Sequence, residues 1–130
     1  MRKKILVIDD ELAILELMQI IFEDAGYTVE ITDTTDSVTL LLEGELPHVI
    51  LLDLLLSGKD SSDLVRKLKG QERTRHIPLL VFSAAPCAEQ EALEAGADAF
   101  LAKPFELEEL LAKVASYLSV FSPERLSERR

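Results

Sequence analysis

The sequence predicts an α/β domain, a (βα)5 chain folded as a doubly wound, five-stranded parallel sheet in the order 2-1-3-4-5. Two observations predict it. Short aliphatic runs alternate along the whole chain with longer segments whose apolar residues recur at helical spacing. The centres of those runs, such as Ile5-Leu6-Val7-Ile8, Val49-Ile50-Leu51-Leu52 and Leu79-Leu80-Val81-Phe82, are apolar at successive positions. That is the pattern of strands covered on both faces, as parallel strands between two helical layers must be.

The first strand is expected over Lys4–Asp9. The helix after it carries Leu12, Leu15, Ile20 and Phe22 as its apolar set, among Glu11, Glu16 and Glu23, and Gly26 is placed to end it as a C′ glycine. The second strand, Tyr27–Thr32, leads into a shorter, more polar helical segment over 35–44. The third strand, His48–Asp53, is followed by a helix over 61–71, and the fourth, Pro78–Ser83, by one over 87–95. The fifth strand is Ala99–Lys103. The last helix sets Leu107, Leu110, Leu111, Val114 and Leu118 on one face, with Glu106, Glu108 and Glu109 at its start, where the helix dipole favours acid. Pro123 breaks that pattern, so the domain is read as residues 1–120 and residues 121–130 as a tail or the stub of a linker. The resulting arrangement is the flavodoxin-like one.

Composition narrows the function. The chain has 130 residues, 14 basic and 24 acidic, for a formal charge of 14 − 24 = −10. Phosphate contacts need clustered Lys and Arg, so direct nucleic-acid binding is not expected. No apolar stretch approaches the roughly 20 residues of a membrane span, and the basic start is followed by too short an apolar run for a signal peptide. One cysteine, Cys87, allows neither an internal disulfide nor a thiolate metal cluster. These features together lead to an expected cytoplasmic location.

Ligands in a doubly wound sheet bind beyond the carboxyl ends of the strands, where the strand order reverses. The expected strands end there in Asp9-Asp10, Asp53, Ser83 and Lys103. Three carboxylates so close repel one another unless a cation neutralises them, and an all-oxygen set suits hard Mg²⁺ better than zinc or copper. A carboxylate beside Mg²⁺ and a lysine is suited to attack a phosphoryl group, giving an aspartyl phosphate. Asp53, on the central strand, is the candidate nucleophile, with Asp9 and Asp10 as metal ligands. Taken alone, Asp10 is equally well read as the N-cap of the first helix.

The motifs Ile5-Leu-Val-Ile-Asp-Asp10, Val49-Ile-Leu-Leu-Asp53, Phe82-Ser-Ala84 and Ala95-Gly-Ala-Asp-Ala-Phe-Leu-Ala-Lys-Pro-Phe105 resemble the receiver domain of two-component response regulators, over about residues 2–120. The resemblance implies that Asp53 is the phosphoacceptor and that Asp9, Asp10 and Asp53 hold Mg²⁺ with the backbone carbonyl of Leu55. It further implies that Lys103 pairs with the phosphoryl group, that Ser83 bonds to it, that Phe100 is a switch aromatic, and that the Lys103–Pro104 peptide is cis. The implied partners are a sensor histidine kinase or phosphotransfer protein, and a downstream target or output domain. A phosphorylation-dependent homodimer is a further implied association. Such a chain catalyses only its own Mg²⁺-dependent phosphorylation and dephosphorylation.

The sequence departs from the family pattern at three places. The loop after Asp53 has Leu56, Ser57, Gly58, Lys59, Asp60 and Ser61, without the usual proline and the later glycine. Ser83 and Lys103 are closer together than is common. Leu55 and Ala85 stand where residues that orient an attacking water are found, so slow phosphate loss is expected. Other chemistries fail at named positions: Asp9-Asp10-Glu11 replaces a P-loop and would repel a flavin phosphate, and Leu55 replaces the second aspartate of a haloacid-dehalogenase-type phosphatase. Two further readings stand beside the response regulator, a receiver cut from a longer protein and a non-phosphorylated interaction module. His48 and His76 are expected at the sheet edge opposite the acids, without a phosphorelay or ligand role.

Overall fold

The computed structural model describes residues 2–33, 38, 42–56, 59–85 and 87–120. Five strands, β1 (Lys4–Ile8), β2 (Thr28–Thr32), β3 (Val49–Asp53), β4 (Leu79–Ser83) and β5 (Ala99–Ala102), form one sheet in the order β2-β1-β3-β4-β5, all neighbours parallel. Among the described residues, four bounded helices, α1 (Leu12–Asp24), α2 (Ser62–Gly70), α3 (Ala88–Ala95) and α4 (Leu107–Val120), accompany it. This is the expected fold and order, with strand ends trimmed by about a residue. Of the segment expected over 35–44, only Val38, Leu42, Glu43 and Gly44 are described, the first three helical and Gly44 just past the helix end; the expected tail 121–130 lies outside the described residues.

Successive residues of each central strand face opposite sides, and the core divides accordingly. Ile5, Val7, Val49, Leu51, Leu80 and Phe82 pack with Leu15, Met18 and Phe22 of α1 and Leu110, Val114 and Leu118 of α4. Leu6, Ile8, Ile50, Leu52, Leu79 and Val81 pack on the other side with Val65 and Leu68 of α2, Ala88, Ala92 and Ala95 of α3, and Val38 and Leu42. Double coverage explains the unbroken aliphatic runs. Each fully buried Leu, Ile or Phe contributes about 1.5–3 kcal/mol through removal from water.

Two helix faces differ from expectation. On α1 the buried set is Leu15, Met18 and Phe22, whereas Leu12 is 64% and Ile20 66% exposed. Ile20 is five residues beyond Leu15, about 140° around the helix, which turns it away from the sheet. On α4, Leu110, Val114 and Leu118 are buried but Leu107, in the first turn, is 42% exposed.

Helix ends follow local chemistry. Gly26 (φ +100°) ends α1 in a Schellman pattern, with Gly26 N–H bonded to the Glu23 carbonyl and Tyr27 N–H to the Phe22 carbonyl. Gly96 (φ +117°) ends α3 in the same way. The Arg73 guanidinium donates to the carbonyls of Leu42, Glu43 and Gly44, closing the helical segment that holds Leu42. At the amino-terminal edge of the sheet His48 Nδ1 accepts the Lys4 N–H at 2.9 Å, and its own N–H donates to the Lys4 carbonyl. A two-residue antiparallel ladder after β3, Leu55–Leu56 with Lys59–Asp60, was not expected from the sequence.

Candidate functional site

The site is built where β1 and β3 end side by side. Ile8 pairs with Leu52, so the next residues, Asp9 and Asp53, emerge together at the carboxyl edge. One oxygen from each of Asp9, Asp10 and Asp53 lies within 4.8 Å of the others. Asp9 is fully buried, Asp53 nearly so, and Asp10 is exposed.

Asp9 has two different oxygens. Oδ1 accepts the Glu11 N–H at 2.9 Å at the start of α1. Oδ2 is buried without a hydrogen-bond partner, its nearest ionic neighbour being Lys103 Nζ at 3.6 Å. Burial raises the Asp9 pKa, opposed by the Glu11 N–H and Lys103, and reinforced by the negative charges of Asp53 and Asp10. At the helix start the N-cap position of α1 is taken by Glu11, whose side chain makes no cap hydrogen bond, rather than by Asp10.

Lys103 enters from the far side. Its backbone N–H donates to the Ser83 carbonyl at 2.9 Å, extending the β4–β5 ladder by one bond. Its Nζ donates to Asp53 Oδ2 at 3.2 Å and lies 5.0 Å from the centre of the Phe82 ring. Phe82 is held in turn by an edge contact with Phe105, a cation–π shelf under the ammonium group that the motifs did not reveal. The Lys103–Pro104 peptide is cis.

The other sequence-derived residues are placed as follows. Ser83 is buried at the end of β4, one residue past Phe82, which pairs with Asp53; its Oγ accepts the Ala85 N–H at 3.1 Å. Phe100, on β5, is half-buried against the core layer that contains α3. Leu55 forms the first rung of the short ladder, opposite Asp60. Residues 57–58, part of the variant loop, and Pro86 lie outside the described residues. Between β4 and α3, Cys87 is exposed, unpaired as a thiol, and left-handed at φ +65°. His48 sits at the opposite edge of the sheet, its pKa lowered first by burial and then by the Lys3 charge.

Ser61 has a role the sequence did not show. It is the N-cap residue of α2, yet its hydroxyl turns away from the helix and lies 2.8 Å from the Asp53 carbonyl and 2.7 Å from the Leu54 carbonyl. The sequence signals are a serine before a helix, which normally marks a cap, and its place in the loop that lacks the family's later glycine; neither points to a bond with β3.

The donor set fits a hard divalent cation: three carboxylates converge, and one buried oxygen, Asp9 Oδ2, has no hydrogen bond to satisfy it. Among the described residues this is the one group of acidic, histidine or cysteine side chains arranged to hold a metal.

Comparison with known proteins places the chain in a family. The model of the response regulator receiver domain matches residues 5–115. The phosphate regulon transcriptional regulatory protein PhoB of Pseudomonas aeruginosa is 34% identical over 93% of this chain, which covers 54% of that protein. The signal receiver domain of a signal transduction histidine kinase from Syntrophus aciditrophicus is similar in structure, with a TM-score of 0.85 and 30% identity over 93% of both chains. The receiver domain of a sensor histidine kinase from P. aeruginosa, described with a magnesium ion coordinated in its active site cleft, gives a TM-score of 0.80 at 25% identity, covering 91% of this chain and 98% of that one. The chain spans about half the length of the curated relatives it matches. No helix among the described residues is long and apolar enough to cross a membrane. With the matched region running from the first strand into the last helix, the chain belongs to the response regulator receiver domain family.

Proposed function

We propose that this domain accepts a phosphoryl group on Asp53 from the phosphohistidine of a sensor histidine kinase or phosphotransfer protein, and that the modification switches a partner-binding face. The observation that carries the reading is the convergence of Asp9, Asp10 and Asp53 within 4.8 Å, with Lys103 Nζ 3.2 Å from Asp53. An Asp53 carboxylate oxygen attacks phosphorus, the P–N bond of the donor breaks, and the imidazole leaves with the bonding pair. Mg²⁺ held by Asp9, Asp10, Asp53 and the Leu55 carbonyl would offset charge on the phosphoryl oxygens. Lys103, already at the carboxylate, moves its charge onto the transferred group. Because Ser83 Oγ accepts from Ala85 N–H, its own hydrogen is left to donate to a phosphoryl oxygen.

Drawing Ser83 toward the phosphate frees space for the half-buried Phe100 to turn inward, and the face made by α3, β5 and α4 changes shape. A second copy or a target protein reads that face. The domain works in the cytoplasm and is no enzyme beyond its own phosphorylation and dephosphorylation. Leu55 and Ala85 offer no group to orient water, which favours a long-lived phosphate. The length of the relatives supports a second, compatible reading, in which this receiver is joined to an output domain that makes any DNA contact.

Intact-mass measurement after incubation with a small phosphodonor tests the proposal. Wild type should gain one phosphoryl group only with Mg²⁺, and Asp53→Asn none. Equal labelling of both proteins would remove Asp53 from its role.

A further inference from the structure

We infer that Ser61 is a positioning residue for the phosphoacceptor, an inference that rests on the reading of Asp53 given above. The peptide group joining Asp53 to Leu54 is held from both sides. Its N–H, that of Leu54, donates to the Phe82 carbonyl of β4 at 3.0 Å, and its C=O, that of Asp53, lies 2.8 Å from Ser61 Oγ. The following carbonyl, Leu54, receives the Ser61 N–H at 2.7 Å and also lies 2.7 Å from Ser61 Oγ. One buried residue thus fixes two successive peptides immediately after the acceptor, and with them the direction of the Asp53 Cα–Cβ bond and the approach of the chain to Leu55.

The local cost shows that this contact is made in preference to another. An N-cap serine ordinarily accepts a helix N–H with its side chain, and Ser61 makes no such bond. Its main-chain carbonyl still accepts the Leu64 and Val65 N–H groups, so α2 starts from the same residue that holds the acceptor strand. The start of α2 and the end of β3 are therefore coupled through a single side chain. Ser62, the next residue, provides a contrast: its hydroxyl and N–H both go to Asp60 Oδ1 and do not touch β3.

The coupling is tested with Ser61→Ala, Ser61→Thr and Ser62→Ala in the full chain. Four quantities are measured: Mg²⁺ affinity by calorimetry, exchange of the Leu54 amide by NMR, and the rate and the half-saturation of phosphorylation by a small phosphodonor. Ser61→Ala should speed Leu54 exchange, weaken Mg²⁺ binding and lower the saturated phosphorylation rate, each by about 3- to 10-fold, the range expected for one lost hydrogen bond. The half-saturation for phosphodonor should stay the same. Ser61→Thr, which restores the hydroxyl, should recover at least part of each loss, and Ser62→Ala should leave all four within about twofold. A Ser61→Ala protein that melts earlier but keeps wild-type Mg²⁺ affinity and rate would overturn the inference, as would equal effects of Ser61→Ala and Ser62→Ala. If wild type takes no phosphate, the proposed function fails, while Mg²⁺ affinity and amide exchange still decide the role of Ser61.

Discussion

Lys103 is held by three contacts at once: Asp53 at 3.2 Å, Asp9 at 3.6 Å and the Phe82 ring at 5.0 Å. The residue type and strand-end position of Lys103 could be read in the sequence; the aromatic shelf could not, because Phe82 looks like any other strand aromatic. His48 shows residue-scale chemistry at the other edge. A protonated ring cannot accept the Lys4 N–H through Nδ1, and burial with the neighbouring Lys3 charge lowers its pKa below the ordinary 6.5, although Glu45 opposes this. The neutral form is favoured in the folded chain, so its stabilising effect is complete above pH 6.5 and is lost as pH falls from there through the lowered folded value. His48→Asn keeps an acceptor near the Nδ1 position without the titration. Between about pH 7.5 and about pH 5.5 the melting temperature of wild type should fall more than that of the variant; parallel curves would show that the bond has no linkage to pH.

At the scale of elements, two glycines separate backbone strain from crowding. A Cβ on Gly26 would meet open space, whereas one on Gly96 would meet Lys69 Cβ and Cγ at 3.3 Å. Gly26→Ala should cost about 1–2 kcal/mol for its left-handed backbone alone. Gly96→Ala should cost more, since the aliphatic stem of Lys69 is tethered by Nζ bonds to Asp98 and the Ile77 carbonyl. Denaturant titration of both variants checks the order, and equal costs would show that Lys69 yields freely. Strands and the glycine that ends α1 were readable because burial on two faces and a positive φ each demand particular residue types. The exposed positions of Leu12, Ile20 and Leu107 were not, since a leucine or isoleucine carries the same signature whether or not a neighbouring layer reaches it. The ladder at Leu55–Asp60 was invisible for a related reason: two residues are too few to show a period.

For the whole molecule, stability and site chemistry oppose each other. A fully buried carboxylate, Asp9, is held close to two others, so the metal-free protein is less stable than its packing alone would make it. On the proposed function, Mg²⁺ binding to the folded state should raise the melting temperature, by the equivalent of about 2.7 kcal/mol at a hundred times its dissociation constant. Asp9→Asn should melt higher than wild type without divalent ions and lose the response to Mg²⁺. A metal-free Asp9→Asn protein less stable than wild type, or one with an intact Mg²⁺ shift, would contradict this account.

Asp9 also joins the sheet to a helix, through its N–H on the Thr32 carbonyl and its Oδ1 on the Glu11 N–H. Most replacements remove that acceptor together with the charge, but asparagine keeps the acceptor, and one base change in either aspartate codon produces it. A lineage under no selection for the chemistry can therefore lose one of the three clustered acids in a single heritable step and still inherit the fold.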